Sequence, residues 1–333
     1  MHRRVTITDV AQLAGVSRQT VSRAINRKGE ISPTTLQRVL QAVQALGYQP
    51  SQVARGLATR RTRTVGLVVP DITNPFFPEI ARGVQDVARS QGYNVFLCNS
   101  DESPEQELQV LRSLAAQMVD GIVLCGSRIS ADQLIAFAES YWPLVVLNRE
   151  LECPGVGLIA VDNQRGMQLA VDHLVGRGHR CIALLAGPVT SPSSQRRVQG
   201  YRRAMQGWNL PVAPDWVVPC PPTVEGGQTE ATSLLARHPE VTALIAYNDL
   251  VAIGACLACE ALGRAVPASC AVIGFDDIRL AAMVRPTLTT IRVDKYELGR
   301  AAMQRLLTML DQRETAIPPQ VVDVELVIRE SAP

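Results

Sequence analysis

Residues Gly15 to Asn26, GVSRQTVSRAIN, crowd Arg18, Gln19, Ser22 and Arg23 into six positions. A guanidinium can donate to two acceptors side by side, and a carboxamide can donate and accept at once. Those are the pairings offered to guanine and adenine edges in a DNA major groove. Val21, Ala24 and Ile25 recur at i, i+3 and i+4 and mark a buried stripe. The four polar side chains then face outward near the helix N-terminus. Ser17 stands at the N-cap position. Ser17, Thr20 and the adjacent amides suit phosphate oxygens. Asn26 closes the segment and is placed with this DNA-contacting set.

Two further helices are needed to hold that face. The first runs through TDVAQLAG, with Val10, Leu13 and Ala14 inward and Gly15 as its stop. The other runs through ISPTTLQRVLQAVQALG, with Ser32 as cap, Pro33 in the first turn and Gly47 after the end. Its expected buried stripe is Leu36, Val39, Leu40, Val43 and Leu46. Charge agrees with a polyanion partner for this region alone. Residues 1–63 hold eleven basic and two acidic residues, a net +9, while the rest holds 22 basic and 29 acidic, a net −7.

After Pro50, Ser51 could cap a short helix over Gln52 to Leu57, weakened by Gly56 and marginal by itself. Val53 and Leu57 are apolar, four residues apart and without an evident core. From residue 64 the pattern changes to apolar strand runs separated by helical segments: TVGLVVP, NVFLCN, DGIVLCG, PLVVLN, then CIALLAG, WVVP, TALIAY and CAVIGFD. Strands apolar on both faces imply parallel sheets covered by helices. The runs fall into two groups split near GVGLIAVDN, so two doubly wound subdomains are expected, with ligands beyond the carboxyl ends of the strands.

Composition limits the alternatives. With 333 residues, 47% of them apolar, the chain can bury a sizeable core. No apolar run approaches a membrane span, and the opening residues lack a signal peptide's apolar centre, so a cytoplasmic protein without a membrane partner is expected. The eight cysteines lie mostly in apolar runs. Cys256 and Cys259 have C-x-x-C spacing inside an apolar helical pattern, which reads as core packing; no metal and no cofactor is expected. No P-loop or G-x-S-x-G occurs, and the four histidines form no cluster, so the expectation is not an enzyme.

The chain resembles the LacI family of bacterial transcription regulators, the lactose, purine and ribose repressor type, along nearly its full length. The resemblance rests on ITDVAQLAGVSRQTVSRAIN at the head and GYQPSQVARGLA in the linker. DGIVL, HLVGRGHRCIALLAG, RVQGYRRAM, YNDLVAIGA, VIGFDD and PTLTTI follow in the family's order. It implies a homodimer on double-stranded operator DNA. Arg18, Gln19 and Arg23 would read bases, and a hinge helix with Val53, Leu57 and Ala58 would enter the minor groove, Leu57 as the wedge. It also implies a periplasmic-binding-protein-like core with a sugar-like effector between its subdomains. Asn74, Phe76 and Phe77 in DITNPFF, Asn148 and Arg149 in LNRE, Arg197, Asn248 and Asp276 fall on the family's cleft positions. Asn148 stands where related sugar binders carry an acid, and Val293 where many relatives have a polar residue.

The expected organisation is an all-α helix-turn-helix head at 1–48, a hinge and linker at 49–63, and an α/β core at 64–333. The core's first subdomain would be about 64–161 plus 292–318, and the second about 162–289 plus 320–330. The function expected is a sequence-specific repressor whose operator affinity is set by a sugar or sugar derivative. A corepressor-dependent regulator of purine type is the alternative, and an enzyme fused to a DNA-binding head is the weaker rival.

Overall fold

The computed structural model describes residues 5–25, 31–48, 61–149, 151, 153–312 and 318–333. It has two compact units, and the chain passes from one to the other between Thr62 and Arg63.

In the head, α1 (Ile7–Ala14) opens on a reciprocal cap: Asp9 N donates to Thr6 Oγ1 at 3.4 Å and Thr6 N donates to Asp9 Oδ2 at 2.8 Å. Gly15, at φ 64, ends it. Thr20 N donates to Ser17 Oγ at 3.1 Å and starts α2 (Arg18–Ile25). Ser32 caps α3 (Pro33–Leu46) through Thr35 N, and Gly47 at φ 61 closes it. Val10, Ala14, Val21, Ala24 and Val39 are buried as expected. Leu13 and Leu40 are not: they are 57% and 50% exposed, and Ala11 and Ala42 are buried in their place. Small side chains line the seam, the helices approach through them, and the two leucines fall at its solvent edge.

The core holds two six-stranded sheets. The first, in the order β11-β5-β4-β3-β1-β2, comprises β1 (Thr64–Val69), β2 (Asn94–Asn99), β3 (Gly121–Cys125), β4 (Leu144–Leu147), β5 (Val156–Val161) and β11 (Gln320–Val322). All its pairings are parallel. The second, in the order β12-β10-β9-β8-β6-β7, comprises β6 (Ile182–Ala186), β7 (Val217–Pro219), β8 (Ala243–Ala246), β9 (Ala271–Asp276), β10 (Thr289–Val293) and β12 (Val324–Val327). Only β12 runs antiparallel to its neighbour. The first sheet carries α4 (Phe76–Ser90), α5 (Pro104–Ala116), α6 (Ala131–Ser140) and α11 (Lys295–Gln312). The second carries α7 (Asn163–Gly176), α8 (Pro192–Gly207), α9 (Val224–Arg237) and α10 (Asp249–Ala261). Central strands such as β3 and β4 are buried throughout, which is why they read as unbroken apolar runs.

The chain crosses between the sheets three times, and each crossing reads Val-Asp: Val161-Asp162, Val293-Asp294 and Val322-Asp323. Two of these aspartates cap the helix that follows. Asp162 Oδ1 accepts from Arg165 N and Asp294 Oδ1 from Glu297 N, each at 2.9 Å. The last crossing corrects the expected subdomain limits. Residues 320–322 pair with Ile159–Val161 in the first sheet, and only from Val324 does the chain join the second. A three-residue strand shows no period of its own, so its neighbour alone decides its sheet.

Helices α4 and α11 approach closely. A Cβ on Gly83 would lie 2.2 Å from Tyr296 O, and one on Gly299 2.1 Å from Ile80 O. This contact fixes α11 to the helix that starts with Phe76 and Phe77.

Candidate nucleic-acid face and candidate effector cleft

Ser17, Arg18, Gln19 and Arg23 are exposed in the head, and Thr20 and Ser22 are half-buried. The Thr20 hydroxyl lies 2.9 Å from Ser17 Oγ, so these two side chains finish the helix start. They leave the two arginines and the glutamine as the outward donors of α2. Asn26, Val53, Leu57 and Ala58, with the expected hinge helix, lie outside the described residues.

In the core, seven of the eight expected cleft residues line one cavity: Asn74, Phe76, Phe77, Asn148, Arg197, Asn248 and Asp276. All but Arg197 sit at the carboxyl ends of strands or the starts of the helices that follow; Arg197 comes from the second turn of α8. Asn74 Oδ1 accepts from Phe76 N at 3.0 Å, which turns the chain after β1 into α4. Phe76 and Phe77 meet edge to face, with centroids 5.2 Å apart and planes at 89°. Asn248 caps α10 through Val251 N at 2.8 Å, and its amide donates to Pro222 O at 3.3 Å.

A chain of side chains spans the two sheets. Asn163 Nδ2 donates to Asn148 Oδ1 at 2.8 Å, and Arg197 Nε donates to Asn163 Oδ1 at 2.9 Å. Arg197 also donates to the Tyr247 carbonyl and pairs with Asp276 at 3.5 Å. Its guanidinium lies over the Phe275 ring, 3.5 Å from the centroid. Arg197 is 4% exposed, and these contacts supply the partners that a buried guanidinium needs. Burial pushes the Asp276 carboxyl up to about 6, against the opposing pull of Arg197 and Lys295. The lining therefore offers amide, guanidinium and carboxylate groups beside two aromatic rings, the donors and acceptors that vicinal hydroxyls require.

Arg149 is the exception. It does not line this cavity. Its Nη1 donates to Ser127 Oγ at 3.1 Å and to Ile129 O at 2.7 Å, and it borders a separate polar recess with Asn163, Gln195 and Gln199. Ser127 is itself held by Glu107, buried on α5, which accepts from Ser127 Oγ at 2.5 Å and from Arg128 N at 2.6 Å and so orders the side on which Arg149 is bound. Arg128 lines the cleft instead, held in a two-point pair by Glu102 at 2.6 and 3.1 Å. Ser193 and Tyr247 also line it, with their hydroxyls 3.2 Å apart. Nothing in GSRIS marks Arg128 in advance, whereas Tyr247 adjoins Asn248 in YNDL, and that adjacency is the sequence signal for it.

Similarity to known proteins covers both units. The profile of the bacterial regulatory proteins of the lacI family matches residues 6–51. That of the periplasmic binding proteins and sugar binding domain of the LacI family matches residues 62–328. Catabolite control protein A of Priestia megaterium is 36% identical over 93% of this chain and 94% of its own. The ribose operon repressor of Halalkalibacterium halodurans is 36% identical over 98% of this chain and 96% of its own. Among solved structures, the lac repressor dimer bound to operator and the anti-inducer ONPF superposes with a TM-score of 0.89 at 29% identity, covering 99% of both chains. A helix-turn-helix head with exposed arginines, two doubly wound sheets and a polar cleft between them thus come together in one sequence, and the chain belongs to the LacI family of bacterial regulatory proteins.

Proposed function

We propose that the chain works as a homodimeric, cytoplasmic repressor of transcription, released from its operator when a sugar or sugar derivative occupies the cleft. The head at 1–48 would read the operator through Arg18, Gln19 and Arg23, and the linker at 49–63 would carry Val53, Leu57 and Ala58 to the minor groove. The observation that carries the effector reading is the chain Asn148–Asn163–Arg197–Asp276, which brings both sheets to one cavity beside Phe76 and Phe77.

The chemistry favours a polyol. Asp276 can accept from one hydroxyl while Arg197 donates to its neighbour, and Asn148 and Asn248 present amides around them. Phe76 and Phe77 are perpendicular, so one ring can cover the apolar face of a sugar. A flat purine held between two parallel rings is a poorer match. Arg128 and Arg197 each have a carboxylate partner, Glu102 and Asp276, which balances the charge of the lining. A ligand that bridges the sheets stabilises the arrangement making both sets of contacts. The linker runs straight into β1 of the first sheet, and this is the route by which closure would reach the DNA-binding heads of a dimer. Linkage then requires that the effector bind more weakly when operator is present, by the factor with which it weakens operator binding.

Calorimetry of the protein with pentoses, hexoses, sugar acids and purines tests the reading. A sugar or sugar acid should bind, and purine binding without sugar binding would overturn it.

A further inference from the structure

Of the chain's 33 basic residues other than histidine, 31 are arginine; the two lysines are Lys28 and Lys295. Lys295 is the first residue of α11 and is 4% exposed. Its ammonium donates to Asp276 O at 2.7 Å, to Asp277 O at 2.9 Å and to Val293 O at 3.4 Å. Glu79 Oε2 of α4 lies 3.8 Å away and supplies the opposing charge. A tetrahedral ammonium can serve three carbonyls converging on a point. A planar guanidinium, with its donors spread across a fork, cannot. The geometry accounts for a lysine at this position in a chain that otherwise prefers arginine.

The carbonyls it gathers belong to a strained turn. Asp276 has φ 106 and Asp277 φ 51, consecutive side-chain-bearing residues in the region that favours glycine. Four other groups hold this turn. Arg292 and Arg329 each pair with the Asp277 carboxylate at 2.6 Å, Ile278 N donates to buried Asp249 at 2.7 Å, and Asp277 N donates to Thr290 Oγ1 at 3.4 Å. None of these binds the Asp276 carbonyl. Lys295 fixes the carbonyl of the residue whose carboxylate faces the cleft. Its backbone belongs to α11, which is locked to α4 at Gly83 and Gly299. Lys295 therefore reaches from the layer that carries Phe76 and Phe77 to the turn that carries Asp276.

We propose that Lys295 is a positioning residue of the effector site. It does not line the cleft; it holds the Asp276 peptide in its left-handed conformation, aims that carboxylate beside Arg197, and ties its position to α4. The proposal rests on the assignment of Asp276 to the effector, so its test reads geometry first and affinity second.

Crystal structures of the intact protein and of its Lys295→Met and Lys295→Arg variants give the first reading. Both variants should show Asp276 out of the positive-φ region and its carboxylate withdrawn from Arg197. Lys295→Arg keeps the charge and serves if Lys295→Met does not fold. An unchanged Asp276 turn in either variant overturns the proposal. Calorimetry with D-ribose gives the second reading. Where the wild type binds D-ribose, both variants should bind it at least tenfold more weakly, with melting temperatures within a few degrees of wild type. Restoration of wild-type affinity by Lys295→Arg would reduce Lys295 to a charge and overturn the positioning role. A wild type that ignores D-ribose counts against ribose as the effector, and the crystallographic comparison still decides the role of Lys295.

Discussion

Asn163 Nδ2 lies 2.8 Å from Asn148 Oδ1, and this hydrogen bond joins a side chain of the second sheet to one of the first. Asn163 follows directly on the Val161-Asp162 crossing, and its other amide atom accepts from Arg197. The bond therefore sits between the connection about which the sheets can turn and the groups that would grip an effector. Removing it should weaken the closed arrangement without touching the head. Asn163→Ala is expected to lower effector affinity by about 1–3 kcal/mol, since it strands a buried partner on either side. Operator binding without effector should be unchanged, as checked by calorimetry and by anisotropy on labelled operator.

Effector binding should depend on pH through Asp276. Its carboxyl titrates near 6 because burial disfavours the charged form more than Arg197 and Lys295 favour it. A hydroxyl donor needs the ionised form. Affinity should be level above about pH 7 and fall by up to tenfold per unit below about 6, while an effector that donates to the carboxylate should pull the pKa down. Calorimetry between pH 5 and 8 (a range set by the titration near 6) measures this, and Asp276→Asn should show a flat profile at low affinity.

The head should bind DNA with a steep salt dependence. If each head neutralises about 3–4 phosphates, a dimer should give a log–log slope of about −5 to −7. Gln19→Ala and Arg23→Ala should each cost about 1–3 kcal/mol on the cognate site and relax its specificity. Equal losses on cognate and random DNA would assign both residues to phosphates. Anisotropy at several salt concentrations separates the cases.

Gly299→Ala should destabilise the core by about 1–3 kcal/mol, because the added methyl would sit 2.1 Å from Ile80 O. Chemical denaturation measures the loss. The same variant should also weaken effector binding, since α4 and α11 must separate and α4 carries Phe76 and Phe77.

Much of this was legible in the residues. Alternating strand and helix runs gave two doubly wound layers, and Ser17, Gly15 and the Val21–Ala24–Ile25 stripe placed Arg18, Gln19 and Arg23 outward. What stayed hidden depended on long-range partners. Arg149 was expected in the cleft because LNRE fits the family's pattern, but it binds Ser127, which is held by Glu107, 42 positions before Arg149. Arg128 enters the cleft from a loop without period or motif, held by Glu102. Leu13 and Leu40 fit a helical stripe on paper, yet alanines set the seam. The Val-Asp pair stands at every crossing between the sheets, at 161–162, 293–294 and 322–323, but it also occurs at 119–120 and 171–172 and so does not mark a crossing by itself.

The central claim is that occupancy of the cleft controls the grip on DNA. The most direct test is fluorescence anisotropy on an operator selected from random DNA by the protein itself, titrated with and without the sugar that calorimetry identifies. The sugar should raise the operator Kd of the wild type at least tenfold, and Asp276→Asn should hold the operator equally well with the sugar present or absent. An operator Kd unmoved by any sugar but shifted by a purine, or a full sugar response in Asp276→Asn, would contradict the account.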